Sequence, residues 1–371
     1  MATGITVSPD RLRWVVRRAG KSEAEAVAAF PLLGGWLDGA KLPTIAQLQK
    51  FAAKFHAPFG HLFLTKPPEE RIPIPMFRGN ALSGGSFNLD LYDTVCTIQR
   101  RQEWLEEWLE VCEADTCALV GSARPSESVG EVVVRLRGFL RLDARWAFGL
   151  ASSDAAVGLL SQRLEDCGVF LAYNGVVGNN TRRPLSVDEC RGFAMANNRA
   201  PYIFINSQDG KSAQLFTLIH EAAHLMLGVS AGHAGAPDTP SEATERFCDS
   251  VAAEFLVPAD ELKTVWAGDT QKAARRFKVS EPVIARRAND IGLISPAEYQ
   301  HFWQQYNARP RGEKKKTSGG SFYLTSVKRV GRLFAIHVRN AVNARQLSYT
   351  DAYRLTGLYG NTYQHFMANN I

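Results

Sequence analysis

A mostly helical α+β fold built from several packed units is what this sequence predicts. Three observations lead there. A chain of 371 residues exceeds what a single hydrophobic core usually serves. Apolar residues recur at helical spacing through most of its length, and β-compatible runs are confined to the region around 167–206. The composition, 45% hydrophobic and 22% charged, is that of a packed globular chain and excludes a wholly disordered or collagen-like one.

The same reading sets the expected environment. No run approaches the roughly 18 consecutive apolar residues of a membrane-spanning helix, and the opening MATGITVSPDRLRW carries charges where a secretory leader needs an apolar stretch. No membrane partner is expected. Six cysteines without a CxxC pair are too sparse for a disulfide framework, which predicts a cytoplasmic protein. The net charge of +6 is unevenly spread: residues 307–345 hold ten Lys or Arg against one acid, Glu313. Such a basic segment, with Lys314, Lys315 and Lys316 at its centre, suits nucleic-acid phosphates, although solubility alone also accumulates such tails.

Taken in order, residues 9–64 read as short helices with tight breaks. Leu12, Val15, Val16 and Ala19 mark one, Ala26, Val27 and Ala29 begin another, and Leu48, Phe51, Ala52 and Phe55 mark a third with Thr44 as its N-cap. A Pro- and Gly-rich stretch over 65–85 ends this part. A long amphipathic helix is predicted over 89–112, with further helices over 127–140 and 153–166, the last capped by Ser153. A strand follows over 167–173. Residues 191–206 then split around Asn197 and Asn198 into a hairpin, and the second arm leads into LFTLIHEAAHLMLG, a helix stopped by Gly228.

That helix carries the chemistry. His220 and His224 stand four residues apart, on one face, so both imidazoles can reach one tetrahedral zinc. Glu221 sits beside them as the general base. Zinc needs a third protein ligand. A third His ten residues after the first is excluded, because that position is Ser230. His233 lies in the Gly-rich loop that follows and is the weaker candidate. Glu245 is the better one. SEATERFCDSVAAEFLVP reads as an amphipathic helix from about Ser241, placing Glu245 and Asp249 four residues apart on one face, with Cys248, Ala252 and Leu256 toward the core. Glu245 is assigned to zinc and Asp249 to the outer N–H of His220, while Glu254 faces away. The backbone edge of Tyr202, Ile203, Phe204 and Ile205 is the candidate docking strand for a peptide. Tyr173, Tyr202 and His233 are the candidates to steady an oxyanion.

Two resemblances follow from these residues. The segment GGWLDGAKLPTIAQLQKFAAKFHAPFGHLFL resembles the second half of an XRE-type helix-turn-helix domain, although its expected recognition helix, about 28–37, offers no Arg, Asn or Gln to read base edges. FTLIHEAAHLMLG followed by ERFCDSVAAEFLVP resembles the zinc-peptidase signature of the ImmA/IrrE family, departing from it at Cys248 and Val251, where Ala and Phe are usual. Looser likeness continues through 273–295 and RLTGLYGNTYQHF. The resemblance implies a zincin-like peptidase core, a small β-sheet plus the HExxH helix, flanked by the helix-turn-helix domain and C-terminal helices. The corresponding divisions are 1–65, 66–150, 151–265, 266–305 (helical, helix-turn-helix-like) and 306–371. It also implies zinc as cofactor and, as function, cleavage of a DNA-binding repressor in a stress or mobile-element response. A repressor of the XRE type is thus the expected protein partner, with DNA and a second copy of the chain as further candidates. A DNA-binding regulator or antitoxin-like module with a silent peptidase domain is the alternative, and the presence of His220, Glu221, His224 and Glu245 together argues against it.

Overall fold

The structure, a computed structural model, describes residues 4–68, 70, 89–230, 242–309 and 321–371. Ser241, His233, Glu313, Lys314, Lys315, Lys316 and most of the 65–85 stretch lie outside the described residues. Two compact units result, one from the described residues up to 70 with 89–92, the other from Asp93 onward.

The first unit holds α1 (Pro9–Arg18), α2 (Glu23–Ala29), α3 (Leu32–Leu37), α4 (Ile45–Lys54) and a 3-10 turn (Phe59–Phe63). Leu12, Val15, Val16, Leu48, Phe51 and Phe55 form its core, as the helical spacing predicts, together with Leu33. Thr44 and Gln47 form a reciprocal capping box at the start of α4, and Ser22 and Glu25 form another at α2. The stretch expected as one recognition helix is instead broken at Phe30, whose extended φ of −146° ends α2. Pro31 then opens the six-residue α3.

The second unit is organised by a three-stranded sheet. Its strands are β1 (Phe170–Asn174), β4 (Gly192–Met195) and β5 (Tyr202–Asn206), in the order β1-β5-β4. β5 runs parallel to β1 and antiparallel to β4, so the expected hairpin is present, turned by Asn197, whose side-chain oxygen accepts from the backbone N–H groups of Arg199 and Ala200. Two short strands, β2 (Val176–Val177) and β3 (Asn180–Pro184), pair separately. The sheet order corrects one expectation. β5 is the central strand, flanked by β1 and β4, so Tyr202, Ile203, Phe204 and Ile205 have no backbone edge left for a peptide. Among the described residues the outer strand on the other side of the hairpin is β4.

Side-chain alternation divides the sheet into two apolar faces. Leu171, Tyr173, Ala194, Ile203 and Ile205 join the core formed with α6 (Val129–Leu140), α7 (Ser153–Asp166), α8 (Lys211–Met226) and α9 (Glu242–Leu256). On the opposite face Phe170 stacks on Tyr202 and Phe193 on Phe204, at centroid separations of 6.1 and 4.9 Å. α5 (Leu89–Val111) lies mostly in this unit. The N-cap of α7 is Ser152, whose hydroxyl accepts from the Ala155 N–H, rather than Ser153, whose hydroxyl donates to the Lys278 carbonyl.

Downstream helices are α10 (Ala259–Val265), α11 (Thr270–Phe277), α12 (Glu281–Asp290), α13 (Pro296–Ala308), α14 (Phe322–Val330), α15 (Arg332–Asn343), α16 (Tyr349–Thr356) and α17 (Gly360–Asn369). They belong to the same compact unit as the sheet. The basic segment is therefore not a simple tail: Lys328, Arg329, Arg332 and Arg339 sit on α14 and α15, which pack on β1. No helix among the described residues is long and apolar enough to cross a membrane.

Two glycines fix close approaches. The Cα of Gly331, at φ +89°, comes so near β1 that a Cβ there would overlap the Leu171 carbonyl oxygen. Gly192 brings β4 onto α8: a Cβ there would meet Thr217 Cγ2 at 2.6 Å and the Phe204 carbonyl oxygen at 2.8 Å. Because the second of these neighbours is backbone, the strand itself would have to shift. Gly192→Ala is expected to cost about 1–3 kcal/mol of stability, measured by urea denaturation. An unchanged midpoint would show that β4 has room to move.

Candidate metal centre

α8 forms because LFTLIHEAAHLM is rich in helix formers and nearly all of it can be buried. Leu215, Leu218, Ile219, Leu225 and Met226 are fully buried, each contributing about 1.5–3 kcal/mol. The helix ends in a Schellman turn. Gly228, at φ +69°, lets its N–H reach the Leu225 carbonyl while the Val229 N–H reaches that of His224. The last turn is also met from outside: the Gly121 N–H donates to the same Leu225 carbonyl and the Ala123 N–H to that of Met226. His220 and His224 therefore stand on a helix end held by four backbone hydrogen bonds.

α9 packs along α8 through Cys248, Val251, Ala252 and Phe255, all fully buried, and this packing carries Glu245 to the two histidines. Glu245 Oε1 lies 3.0 Å from His224 Nε2, and Glu245 Oε2 lies 3.3 Å from His220 Nε2. The two Nε2 atoms are 3.1 Å apart. One turn further along α9, Asp249 Oδ1 sits 2.9 Å from His220 Nδ1. His220, His224 and Glu245 are the three-residue group that can hold a metal among the described residues, with ligand atoms within 4.8 Å of one another.

The electrostatics favour a cation at this point. Burial pulls the pKa of His220 down, but its hydrogen bonds to Asp249 and Glu245 outweigh burial and hold it at about 9. For Glu245 burial works upward, and the hydrogen bonds from His220 and His224 outweigh it, holding the carboxyl at about 2. The donor set itself fits a metal. With its Nδ1 proton on Asp249, neutral His220 turns the Nε2 lone pair inward, toward the Nε2 of His224 and a carboxylate. Three electron-pair donors facing one another in a buried place suit a divalent ion of zinc's ligand preference. Glu221 is also buried, at 5% exposure, in the turn between the two histidines.

Comparison with known proteins bears on this segment directly. Residues 180–289 match the Peptidase_M78 family model, the IrrE N-terminal-like domain. That supports the likeness to the ImmA/IrrE family over the strands and helices just described, and it suggests a metallopeptidase. Residues 330–369 match a second model, DUF8813, a domain of unknown function. No curated protein and no solved structure matches the chain.

Among the predicted site residues, the structure brings together His220, His224, Glu245 and Asp249, with Glu221 in the same turn. It does not bring Tyr173 or Tyr202 there, and His233 lies outside the described residues. Tyr173 bonds the Ser161 hydroxyl on α7 at 2.7 Å, and Tyr202 points to the opposite face of the sheet, beside Phe170 and Phe334. Glu254 faces away, as expected, and accepts from Arg287. Two contributors escaped the sequence reading. Ser230, read only as a missing histidine, accepts the Ala196 N–H at 2.9 Å and ties the end of β4 to the segment after α8. Gly192 sets the spacing of β4 from α8, and a lone glycine inside a strand-like run was the available signal.

Removing Glu245 should abolish tight metal binding, and Asp249→Asn should weaken it by about 10–100-fold, read by metal analysis after dialysis against a competing chelator. Full retention of metal by Glu245→Ala would refute the ligand set.

The pH dependence has a definite sign. His220 must lose a proton to offer Nε2, and its pKa in the metal-free site, about 9, is above the ordinary 6.5. Apparent metal affinity should thus rise with pH up to about 9. The metal-free protein should show the opposite trend: His220's contribution to its stability is complete below 6.5 and lost as pH rises through about 9. Thermal melts with and without chelator, across that range, check both.

Proposed function

We propose that this chain is a zinc-dependent endopeptidase that cuts a DNA-binding repressor, of the XRE helix-turn-helix kind, and so relieves repression in a stress or mobile-element response. The observation that carries the reading is the convergence of His220, His224 and Glu245 on one point, beside Glu221 and behind Asp249. His220, His224 and Glu245 would hold the zinc ion. Bound there, zinc supplies Lewis acidity and makes water a usable nucleophile at neutral pH.

The chain's own groups account for the rest. Asp249 holds the tautomer and orientation of His220. Glu221 takes the proton from the attacking water and returns it to the leaving amine. Burial leaves Glu221 only 5% exposed, which limits the water that competes for it. A substrate segment would add to the outer edge of β4, the strand that Gly192 seats against α8, and there it gains main-chain hydrogen bonds close to the metal ligands. This replaces β5 as the docking strand.

The N-terminal unit supports a partner-directed enzyme. Around the broken recognition helix Leu32, Leu42 and Ile45 are exposed, an apolar set better suited to a protein than to base edges. Contacts remote from the scissile bond favour one partner over many.

Glu221→Gln should keep zinc and fold yet lower turnover by on the order of a hundredfold or more, since the amide cannot accept the proton. The zinc-loaded protein should cut its repressor into two discrete fragments and leave casein largely intact. Equal rates on casein and on the best repressor candidate would overturn the selectivity. Undiminished cleavage by Glu221→Gln would overturn the mechanism.

A further inference from the structure

A second concave site lies on the Phe204 side of the sheet, away from α8. It is a cavity of about 150 Å³ between α5, the turn after β1 and the ends of α14 and α16. Arg100, Arg101, Arg329 and Arg354 line it, and no carboxylate does. Ordinary surface arginines are interspersed with acids, so four guanidinium groups around one small cavity call for an explanation.

Arg101 explains itself. It is 7% exposed and spends its hydrogen bonds on neutral acceptors: Nε donates to the Leu355 carbonyl at 2.9 Å, and Nη1 to the carbonyls of Arg329 and Val330 at 3.0 and 3.3 Å. Those carbonyls close α14 and approach the end of α16, where the helix dipoles are negative. Arg101 thus staples the C-terminal helices to α5.

The other three are surplus. Arg329 donates to Asn179 Oδ1 at 3.2 Å, and burial without a facing carboxylate pulls its pKa down. Arg100 makes no ion pair among the described residues. Arg354 meets Asp351 at 3.2 Å, a pair so exposed that it contributes little. Three guanidinium groups with this much unused charge, ringing a cavity of a few atoms' width, match the charge and hydrogen-bonding demands of a phosphate group.

We propose that this cavity binds the phosphate group of a small molecule. The ligand would neutralise Arg100, Arg329 and Arg354 together and so clamp α14 and α16 to α5, joining part of the segment that matches the domain of unknown function to the body that carries the metal site. A concave pocket of this size suits a single phosphate on a small body better than a nucleic-acid backbone, which needs an extended track.

The test uses the full-length zinc-loaded protein, titrated with inorganic phosphate and with 5′-AMP, against sodium chloride at matched ionic strength and a short DNA duplex. Saturable thermal stabilisation by phosphate or AMP beyond that of chloride is expected. The combined variant Arg100→Gln with Arg354→Gln, both on exposed positions, should weaken it by about tenfold or more while leaving the unliganded melting temperature nearly unchanged. Silence of both probes, or an undiminished response in the variant, which would place phosphate elsewhere, overturns the proposal. DNA binding that the variant weakens while both small probes stay silent also overturns it, assigning the arginines to a nucleic-acid backbone.

Discussion

The convergence of three electron-pair donors in a buried place is the constraint on which the rest of the second unit depends. His220, His224 and Glu245 face one another at 3.0–3.3 Å, and with neutral rings their inward lone pairs repel unless a positive charge stands between them. A flexible chain would relax such an arrangement. Here α8 cannot rotate, because its C-terminal end is hydrogen-bonded to the segment around Gly121–Ala123 and its sides are packed against β4 and α9. α9 cannot retreat, because α6 packs against it and Arg137 of α6 donates to the carbonyls of Glu254 and Phe255. The packing energy of two helices thus holds an electrostatic demand that a cation satisfies.

The sheet serves this arrangement by aiming α8. β5 lies between two partners and ends in Asn206, a fully buried residue whose side-chain nitrogen donates to the Cys190 carbonyl at 2.9 Å, with its oxygen accepting the Gln208 N–H at 3.0 Å. Gln214 in the first turn of α8 donates back to the Asp209 carbonyl at 2.7 Å, so the strand-to-helix turn is pinned from both sides. The close seating of β4 at Gly192 places an outer strand of the sheet beside the helix. Strand, turn and helix are one device, in which a position error at the start of α8 would be carried to His220 and His224.

The opposite face of the sheet solves a different problem. Its aromatic residues are covered by α5 and the C-terminal helices, whose ends expose carbonyl groups that must be met. Arg101 meets three of them, and Gly331 lets the α14–α15 corner approach the Leu171 carbonyl more closely than any side chain would allow. The segment that the charge count marks as basic therefore divides. Part of it is structural, built into helices on β1, and the lysines Lys314, Lys315 and Lys316 lie apart from those helices in the chain.

What the sequence by itself determined is local chemistry and period. The spacing of His220 and His224 puts both on one helical face whatever the surroundings, and the same holds for Glu245 and Asp249 on the next helix. Helix extents around 89–111 and 129–140 and the hairpin ending at Asn206 follow from apolar periodicity and turn residues, which act over a few neighbours. Only the tertiary structure decided what depends on distant pairing. Strand order made β5 central and β4 the edge, because β1, more than thirty residues earlier in the chain, takes the remaining side of β5. Tyr202 was removed from the site because a pleated strand sends neighbouring side chains to opposite faces, and which face meets α8 is settled by packing, not by spacing; Tyr173 shares the face of α8 but is turned to Ser161 on α7. The cluster of Arg100, Arg101, Arg329 and Arg354 joins positions more than two hundred residues apart in sequence, and no local pattern encodes an encounter of that range.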